Sequence, residues 1–442
     1  MTKSQQCAAE QARAFIETTQ QRRCRADTPI GFLRAPTFGV ANDINILVKA
    51  LHLCIMGGGS SGWRGWARGH RNSPLQLVLL PPTPDHQDRA VGGTAQLQLS
   101  AQQPWHWLMD QDHQHNVSLE LHDIFRLSAC HRMLLRHNAS WLDAIAREPI
   151  YQRTASLRTL MPFRAWEVVI PWGITPDQGP DGVELPRQFA AMGRLWWWRS
   201  LTAYWLNING PLERLLMQHA SFQRFAVGSR EHDRYLHSRR PFALPMLCRE
   251  ASPPPTQDFP PPSLTPSLPQ PPPPSPPPPM IFDVGLHIRM GDACGPQAQQ
   301  QPLRHCLRSL NQALEKLPAA PGPRVVFLAT DSEEVVRQAR KASENFTFHW
   351  LALDRLKYDS SEHEVIELAT AKRGNMVSVL LEILLELTLL AHARTIVGSM
   401  SGNVPRLALQ LQRGVALDQA GYVSLDGGDW CIDSRCISVR GG

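Results

Sequence analysis

The sequence predicts an α/β protein whose C-terminal half is a doubly wound parallel sheet. From residue 282 onward, short apolar runs of strand length alternate with longer segments whose apolar residues recur at helical spacing. This alternation is typical of parallel sheets that carry helices on both faces. The chain has neither a GxGxxG motif after a first strand nor a GxxxxGK(S/T) motif, so these two common phosphate-binding fingerprints do not account for it.

Each element is predicted from its own local pattern. In the C-terminal half we expect strands over residues 282–288, 325–329, 346–353 and 395–397, and helices over 303–317, 332–342, 375–393 and 404–412. Upstream, a helix over 43–56 is expected after a cap at Asn42 or Asp43, followed by a strand over 75–80. A further helix over 195–207 contains three consecutive tryptophans, which indicate core packing more often than a sugar-stacking platform.

A proline-rich tract divides the chain into two regions. Residues 253–279 contain sixteen of the 38 prolines, a composition that cannot pack a core and favours polyproline II. We interpret the tract as a surface insertion, with binding to a proline-recognising module as the alternative. The predicted organisation is a polar segment that need not be the true start of the protein (1–30), an N-terminal domain (31–250), the linker (251–280) and a C-terminal domain (281–442).

Charge and hydropathy narrow the class of protein. The formal net charge of +6 suits anionic ligands in general. Lysine and arginine are scattered along the chain without a cationic block, which argues against nucleic-acid binding. The longest apolar segment, 376–391, carries Glu382 and Glu386, so no transmembrane segment is predicted. The first 30 residues are polar and lack the apolar core of a secretory signal.

Two other features point towards the secretory pathway. Asn116, Asn138 and Asn345 each begin an N-glycosylation sequon. Among the nine cysteines, Cys431 and Cys436 could close a small disulfide loop, and the odd total leaves at least one thiol free. No cysteine spacing resembles a zinc site.

Polar residues follow three of the predicted strands. Arg289 and Asp292 follow the first, Asp331 follows the second, and a loop of small polar residues follows the last. Because the carboxyl ends of parallel strands meet at one edge, we expect these groups to converge on a ligand. The Arg289 guanidinium could clamp a diphosphate, or could pair structurally with Asp292 or Asp331. The loop residues that could bind phosphate, or only cap the next helix, are Ser399, Ser401, Gly402 and Asn403.

Two further side chains are candidates for nucleotide contacts. His287 alternates with Arg289 on one face of the first strand, although a lone histidine there is more often a satisfied core residue. Glu386 lies on the helix before the last strand and could accept the N–H groups of a guanine base. Glu382 is one turn earlier on the same face, so we expect at least one of these two glutamates to be solvated.

As a set, these motifs resemble the donor-binding motifs of the α1,6-fucosyltransferases and their relatives, the nodulation fucosyltransferases and the protein O-fucosyltransferases. The resemblance covers roughly residues 35–430. It rests on the segments HIRMGD (287–292), LATDS (328–332), LLAHAR (389–394), IVGSMSGNVPRLA (396–408), FGVANDINILVKALHLCIM (38–56) and GRLWWWRSLTAYWLN (193–207).

The resemblance implies a GT-B-like fold of two Rossmann-type halves, with an acceptor-side domain before the linker and a nucleotide-sugar-binding domain after it. It implies metal-independent, inverting transfer of fucose from GDP-fucose to a glycan or glycoprotein in the Golgi lumen. By position, His287 would contact the nucleoside and Arg289 the β-phosphate. Glu386 replaces the guanine-binding Asp of the family, Ser401 matches a phosphate-loop Ser, and Gly402 replaces a second Ser.

The chain departs from the α1,6 enzymes at the expected site of proton transfer. Ala293 and Gln297 stand where those enzymes have a Lys and a Glu, and a Gln side chain cannot act as a general base. Asp292, Asp331 and Glu362 are the remaining candidates for the base. Two alternatives therefore stay open: a catalytically inactive homologue that binds a nucleotide sugar or glycan, and a GT-B transferase that uses another nucleotide sugar.

Overall fold

The computed structural model of the chain has an α/β fold. The residues that it describes are 3–25, 28, 30–34, 40–56, 74–80, 125–133, 165–167, 185–206, 212, 215–216, 218–219, 282–290, 310–317, 322–342, 345–355, 376–400, 402–412, 421–427 and 430. The proline-rich tract, the sequons at Asn116 and Asn138, and the pair Cys431 and Cys436 lie outside these residues.

The N-terminal elements include a three-stranded parallel sheet. In chain order the elements are α1 (Lys3–Gln20), β1 (Ile30–Arg34), α2 (Val40–Ile55), β2 (Gln76–Leu80), β3 (Ala165–Glu167), a 3-10 helix (Arg187–Met192) and α3 (Arg194–Trp205). Strand β1 is central: Ile30 pairs with Gln76 of β2 on one side and with Ala165 of β3 on the other.

The C-terminal elements form a five-stranded parallel sheet. They are β4 (Phe282–Ile288), α4 (Leu310–Glu315), β5 (Arg324–Thr330), α5 (Glu333–Lys341), β6 (Phe346–His349), α6 (Met376–Ala391), β7 (Ala393–Gly398), α7 (Asn403–Leu411) and β8 (Gly421–Ser424). The strand order is β6-β5-β4-β7-β8, with α4 and α5 packed on one face and α6 and α7 on the other. The predicted α/β class with a parallel sheet is confirmed.

Two glycines allow helices to approach the central strands closely. A Cβ atom at Gly285 in β4 would lie 2.9 Å from Ala393 Cβ and 3.1 Å from the Leu390 oxygen, at the turn from α6 to β7. A Cβ atom at Gly398, the last residue of β7, would lie 2.7 Å from Cγ of Pro405 on α7. Only glycine fits at such distances, so both helices rest directly on the backbone of the sheet.

One continuous apolar core joins the N-terminal and C-terminal elements. Helices α1, α2 and α3 contribute to it from one side, and α6 and α7 from the other. The predicted core packing of Trp196, Trp197 and Trp198 is confirmed, since each is at most 4% exposed. Within the described part of the chain, no helix is both long and apolar enough to cross a bilayer.

The strand predicted over residues 346–353 is shorter than expected. It pairs with β5 only as far as His349, which lies opposite Phe327. Beyond it, the Arg355 guanidinium donates to the backbone oxygen of Leu351 at 2.9 Å and of Leu353 at 3.5 Å. An arginine side chain, rather than a neighbouring strand, therefore satisfies these two carbonyl groups.

The N-terminal part also differs from the prediction. Helix α2 begins at Val40, so Asn42 and Asp43 lie in its first turn instead of capping it. The polar segment at the start of the chain contains helix α1, in which Ala12 and Ile16 are fully buried in the shared core. A narrow apolar stripe was enough to dock this helix, although its overall composition is polar.

A disulfide bond was not predicted from the cysteine spacing. Cys24, just after α1, is bonded to Cys130, and the two residues are 106 positions apart in sequence. The bond is reinforced nearby, where Gln21 Nε2 donates to the Leu127 oxygen at 3.0 Å. It therefore ties the first helix to residues 125–133, which also contact β2 through Ser128.

Removing this disulfide is expected to destabilise the protein by about 4 to 5 kcal/mol, because it closes a long loop in the unfolded chain. The measurement is the free energy of unfolding in urea for the wild type and for the double variant Cys24→Ser/Cys130→Ser, each with and without dithiothreitol. Reductant should lower the stability of the wild type by much more than that of the double variant. Equal stability of the oxidised wild type and the double variant would contradict the prediction.

Candidate functional site

The candidate site lies at the carboxyl edge of the five-stranded sheet. Strand β4 is first in the chain order of this sheet, yet β5 and β6 extend it on one side and β7 and β8 on the other. The connections leaving β4 and β7 therefore diverge, and this topology predicts a crevice between the ends of these two strands. Arg289 directly follows β4, and Ser399 directly follows β7.

The loop after β4 is anchored by a carboxylate from the neighbouring strand. Asp331, immediately after β5, accepts the backbone N–H of Met290 through Oδ1 at 2.9 Å. Arg289, the residue before Met290, is exposed at the same edge. A carboxylate bonded to a backbone amide fixes the path of the loop that carries the guanidinium.

The loop after β7 is held on both sides of Met400. Its backbone N–H donates to Asp426 Oδ1 at 3.0 Å, and its backbone oxygen accepts a hydrogen bond from Arg406 Nε on α7. Within the loop, the backbone N–H of Gly402 donates to the Ser399 oxygen at 2.8 Å. Hydrogen bonds therefore fix the backbone of both loops that border the crevice, the loop after β4 and the loop after β7.

Helix α7 begins directly after this loop. Gly402 is its N-cap residue and supplies no side-chain cap, so the first N–H groups of α7 are not satisfied by a capping side chain. Amide groups at a helix N-terminus carry a partial positive charge and favour anions. Asn403 is the first helical residue, and Pro405 in the first turn has no N–H to satisfy.

Glu386 on α6 places a buried carboxyl at the same edge. Its Oε1 atom is inaccessible to solvent and has no hydrogen-bond partner among the described residues. Burial raises the pKa of Glu386 to about 8, and the negative charges of Glu382 and Asp331 add to this. Arg355 and a backbone hydrogen bond from Thr330 act in the opposite direction. Below about pH 8 the carboxyl is therefore mostly protonated, and it can accept two N–H donors from a ligand only after it loses this proton.

The surroundings of Glu386 differ from the prediction in two ways. Glu382 is only 5% exposed, so the expectation that at least one of the two glutamates would be solvated is not met there. Glu386 as a whole residue is half-buried, although its Oε1 atom is inaccessible to solvent. Arg355, which sequence analysis missed, donates from Nε to the Thr330 oxygen at 3.0 Å and lies 3.7 Å from Glu333 Oε2.

His287 lies inside β4 near the same edge. Burial, and to a smaller extent the positive charge of Arg289, lower the pKa of His287 to about 3. The imidazole is therefore neutral at physiological pH and can act only as a hydrogen-bonding or packing group. Both interpretations from the sequence, a nucleoside contact and a core histidine, remain open.

The structure brings most of the predicted site residues to one edge of the sheet. Asp292 and Ser401 lie outside the described residues, as do Ala293, Gln297 and Glu362. The residues found at this edge are His287, Arg289, Asp331, Glu386, Ser399, Gly402 and Asn403.

Three supporting residues were missed by sequence analysis: Arg355, Arg406 and Asp426. Arg406 is 3% exposed. Its usable signal in the sequence was an arginine inside an otherwise apolar helical segment, because a buried arginine needs a specific partner. Asp426 falls in a short Gly/Asp-rich segment typical of a turn, and Arg355 stands alone in its segment. Neither of these two has a local pattern that predicts its partner.

No protein-family model matches the chain, and no curated protein matches its sequence. Among the described residues, no group of three or more His, Cys, Asp or Glu side chains is arranged to hold a metal ion.

The raised pKa of Glu386 predicts a pH-dependent contribution to stability. The protonated carboxyl is favoured in the folded state, so its contribution is complete below about pH 4.5 and is lost as the pH rises through about 8. Glu386→Gln stays neutral and should lack this loss. Between pH 5 and pH 8.5 we expect the wild type to lose roughly 3 to 5 kcal/mol of unfolding free energy relative to this variant. Parallel stability profiles for the two proteins would contradict the prediction.

Proposed function

We propose that the protein is a GDP-fucose-dependent glycosyltransferase with a GT-B-like arrangement of two Rossmann-type halves. The observation that carries the proposal is the buried Oε1 of Glu386, which has no hydrogen-bond partner among the described residues and lies at the same sheet edge as the exposed Arg289 and the loop before α7. At this edge, Glu386 could bind a nucleobase, while Arg289 and the loop before α7 could bind phosphates. The distribution suits a nucleoside diphosphate linked to a sugar.

The base proposed for this site is guanine. Guanine presents two adjacent donors, N1–H and the exocyclic amino group, and an ionised carboxylate can accept both. Uracil offers one N–H flanked by carbonyl oxygens, which would repel the Glu386 carboxylate. Because the pKa of Glu386 is about 8, guanine must bind together with loss of the carboxyl proton, a change that the nearby positive charge of Arg355 favours.

The phosphates are assigned to the other side of the crevice. Arg289 would hold the β-phosphate bidentately, while the first N–H groups of α7 and the Ser399 and Ser401 hydroxyls would bind the remaining oxygens. During transfer the bond between fucose C1 and the β-phosphate oxygen breaks, and its electron pair stays on GDP. Arg289 stabilises this developing charge and is therefore proposed as a catalytic residue.

The acceptor hydroxyl would attack C1 from the face opposite GDP, which inverts the configuration, and a base would take its proton. Asp331 already accepts the Met290 N–H, which assigns it to positioning, and leaves Asp292 and Glu362 as candidates for the base. Because Asp331 holds the loop after β4, it is a poor candidate for the general base. This supports the second candidate function, an inactive homologue that binds a nucleotide sugar or glycan. The two functions differ only in turnover.

A secretory-pathway lumen is proposed as the compartment, and a glycan or glycoprotein as the acceptor. The disulfide between Cys24 and Cys130 supports this location, because disulfide bonds persist in oxidising compartments. Asn345, the first residue of a sequon, is exposed just before β6 and is thus accessible to glycosylation.

Calorimetric titration with GDP, GDP-fucose, GDP-mannose and UDP-glucose tests the donor assignment. We expect GDP and GDP-fucose to bind comparably and UDP-glucose to bind much more weakly. Affinity for GDP should rise as the pH increases from 6 to 8, because the Glu386 carboxylate must be ionised, and this dependence should disappear in Glu386→Gln. Absence of binding by any guanine nucleotide would contradict the proposal, and tight binding of GDP-mannose would redirect it to another nucleotide sugar.

Substitution of Arg289 tests the proposed mechanism. Arg289→Ala should lower the rate of fucosyl transfer by about 100-fold or more, because the charge on the departing diphosphate loses its clamp. Arg394→Ala is the matched control, since Arg394 is also exposed but lies at the start of β7, at the opposite edge of the sheet. Equal turnover of the Arg289 variant and the wild type would remove Arg289 from the mechanism. GDP binding without turnover by the wild type would favour the inactive homologue.

A further inference from the structure

A buried chain of hydrogen bonds connects the N-terminal helices to α7. The hydroxyl of Thr202 on α3 donates to Gln410 Oε1 at 2.6 Å, and Gln410 Nε2 donates to Asn45 Oδ1 on α2 at 3.1 Å. Asn45 Nδ2 lies 3.5 Å from both the backbone oxygen and Oδ1 of Asn403. Thr202, Gln410 and Asn45 are each at most 5% exposed. Water cannot replace a lost partner readily, so each bond depends on its neighbours.

The opposite end of α7 is also held from the N-terminal side. Arg199 on α3 donates to the backbone oxygen of Gln412, the C-cap residue of α7. Burial lowers the pKa of Arg199 to about 10, so the guanidinium stays charged at neutral pH and complements the negative end of the helix dipole. Gln412 Nε2 in turn donates to the Ala393 oxygen at 2.9 Å and the Arg394 oxygen at 3.0 Å.

We infer that Asn45 is a positioning residue for the diphosphate half of the crevice, and that α2 and α3 set the location of the α7 N-terminus through it. This inference rests on the proposed function, since it assigns the loop before α7 to the phosphates. Asn45 is a positioning residue and not a catalytic one, because its buried amide contacts Asn403 and Gln410 and would act on the ligand only through α7.

The contact between Asn45 and Asn403 is the weakest in the chain of bonds. Its two 3.5 Å distances are longer than the 2.6 Å and 3.1 Å of the other links. Loss of the Asn45 amide should loosen the start of α7, while Arg199 still holds its C-terminal end and Asp426 and Arg406 still hold Met400.

A second consequence concerns communication between the two parts of the protein. The N-terminal part is where the acceptor is proposed to bind, and its helices α2 and α3 contact α7 directly. A shift of α2 would displace Asn45 and, through Asn403, the loop before α7, without any change in the sheet. Donor affinity is thus linked to the conformation of the N-terminal helices.

The test compares GDP with guanosine, which lacks phosphates, in calorimetric titrations of the full chain. Asn45→Ala should weaken GDP binding about fivefold, the effect of losing one hydrogen bond, and leave guanosine binding unchanged. Thr202→Val, which removes only the far hydroxyl, should act in the same direction with a smaller effect. Ser200→Ala is the control on the same helix, because the Ser200 hydroxyl donates to the Trp196 oxygen within α3 at 3.0 Å.

Hydrogen exchange of the Gly402 and Asn403 amides supplies a second readout that needs no ligand. These amides should exchange faster in the Asn45 and Thr202 variants than in the wild type or the Ser200 control. Unchanged exchange, unchanged GDP affinity, or equal weakening of GDP and guanosine would overturn the inference. Failure of the wild type to bind GDP would instead refute the proposed function, and exchange would still decide whether Asn45 positions the loop.

Discussion

The parallel direction of the strands in the C-terminal sheet is the constraint on which the site depends. Because β4, β5, β7 and β8 all point the same way, the loops that follow them gather at one edge. The strand order places β4 between β5 and β7, so the crevice opens between β4 and β7. Gly285 and Gly398 maintain this arrangement, since any side chain at either position would push α6 or α7 away from the sheet.

Most of the charged residues at this edge bind the protein's own backbone. Asp331 and Asp426 accept N–H groups from the loops after β4 and β7, while Arg355 and Arg406 donate to backbone oxygens beside them. These interactions fix the loops before any ligand arrives, which reduces the ordering cost of binding. Glu386 differs, because one of its oxygens is buried without a partner in the described structure.

The sequence predicted the features that depend on local patterns. Apolar runs located β4 and β7, and the polar residues at their ends indicated where Arg289 and Ser399 would lie. Contacts between distant segments left no such trace: the disulfide of Cys24 spans 106 residues, and Arg355 bonds Thr330 from beyond helix α5 and strand β6. Burial of Glu382 was also missed, because periodicity shows which residues share a helix face but not what covers that face.

The shared core and the bonds to α7 make the N-terminal helices part of the support for the crevice. In the proposed function, this crevice binds the guanine base at Glu386 and the diphosphate between Arg289 and the start of α7. The first measurement to make is a crystal structure of the protein with GDP. Guanine N1 and N2 should lie within about 3.2 Å of the Glu386 carboxylate, and the β-phosphate should contact Arg289. GDP bound elsewhere, or in this crevice with its base away from Glu386, would contradict this assignment.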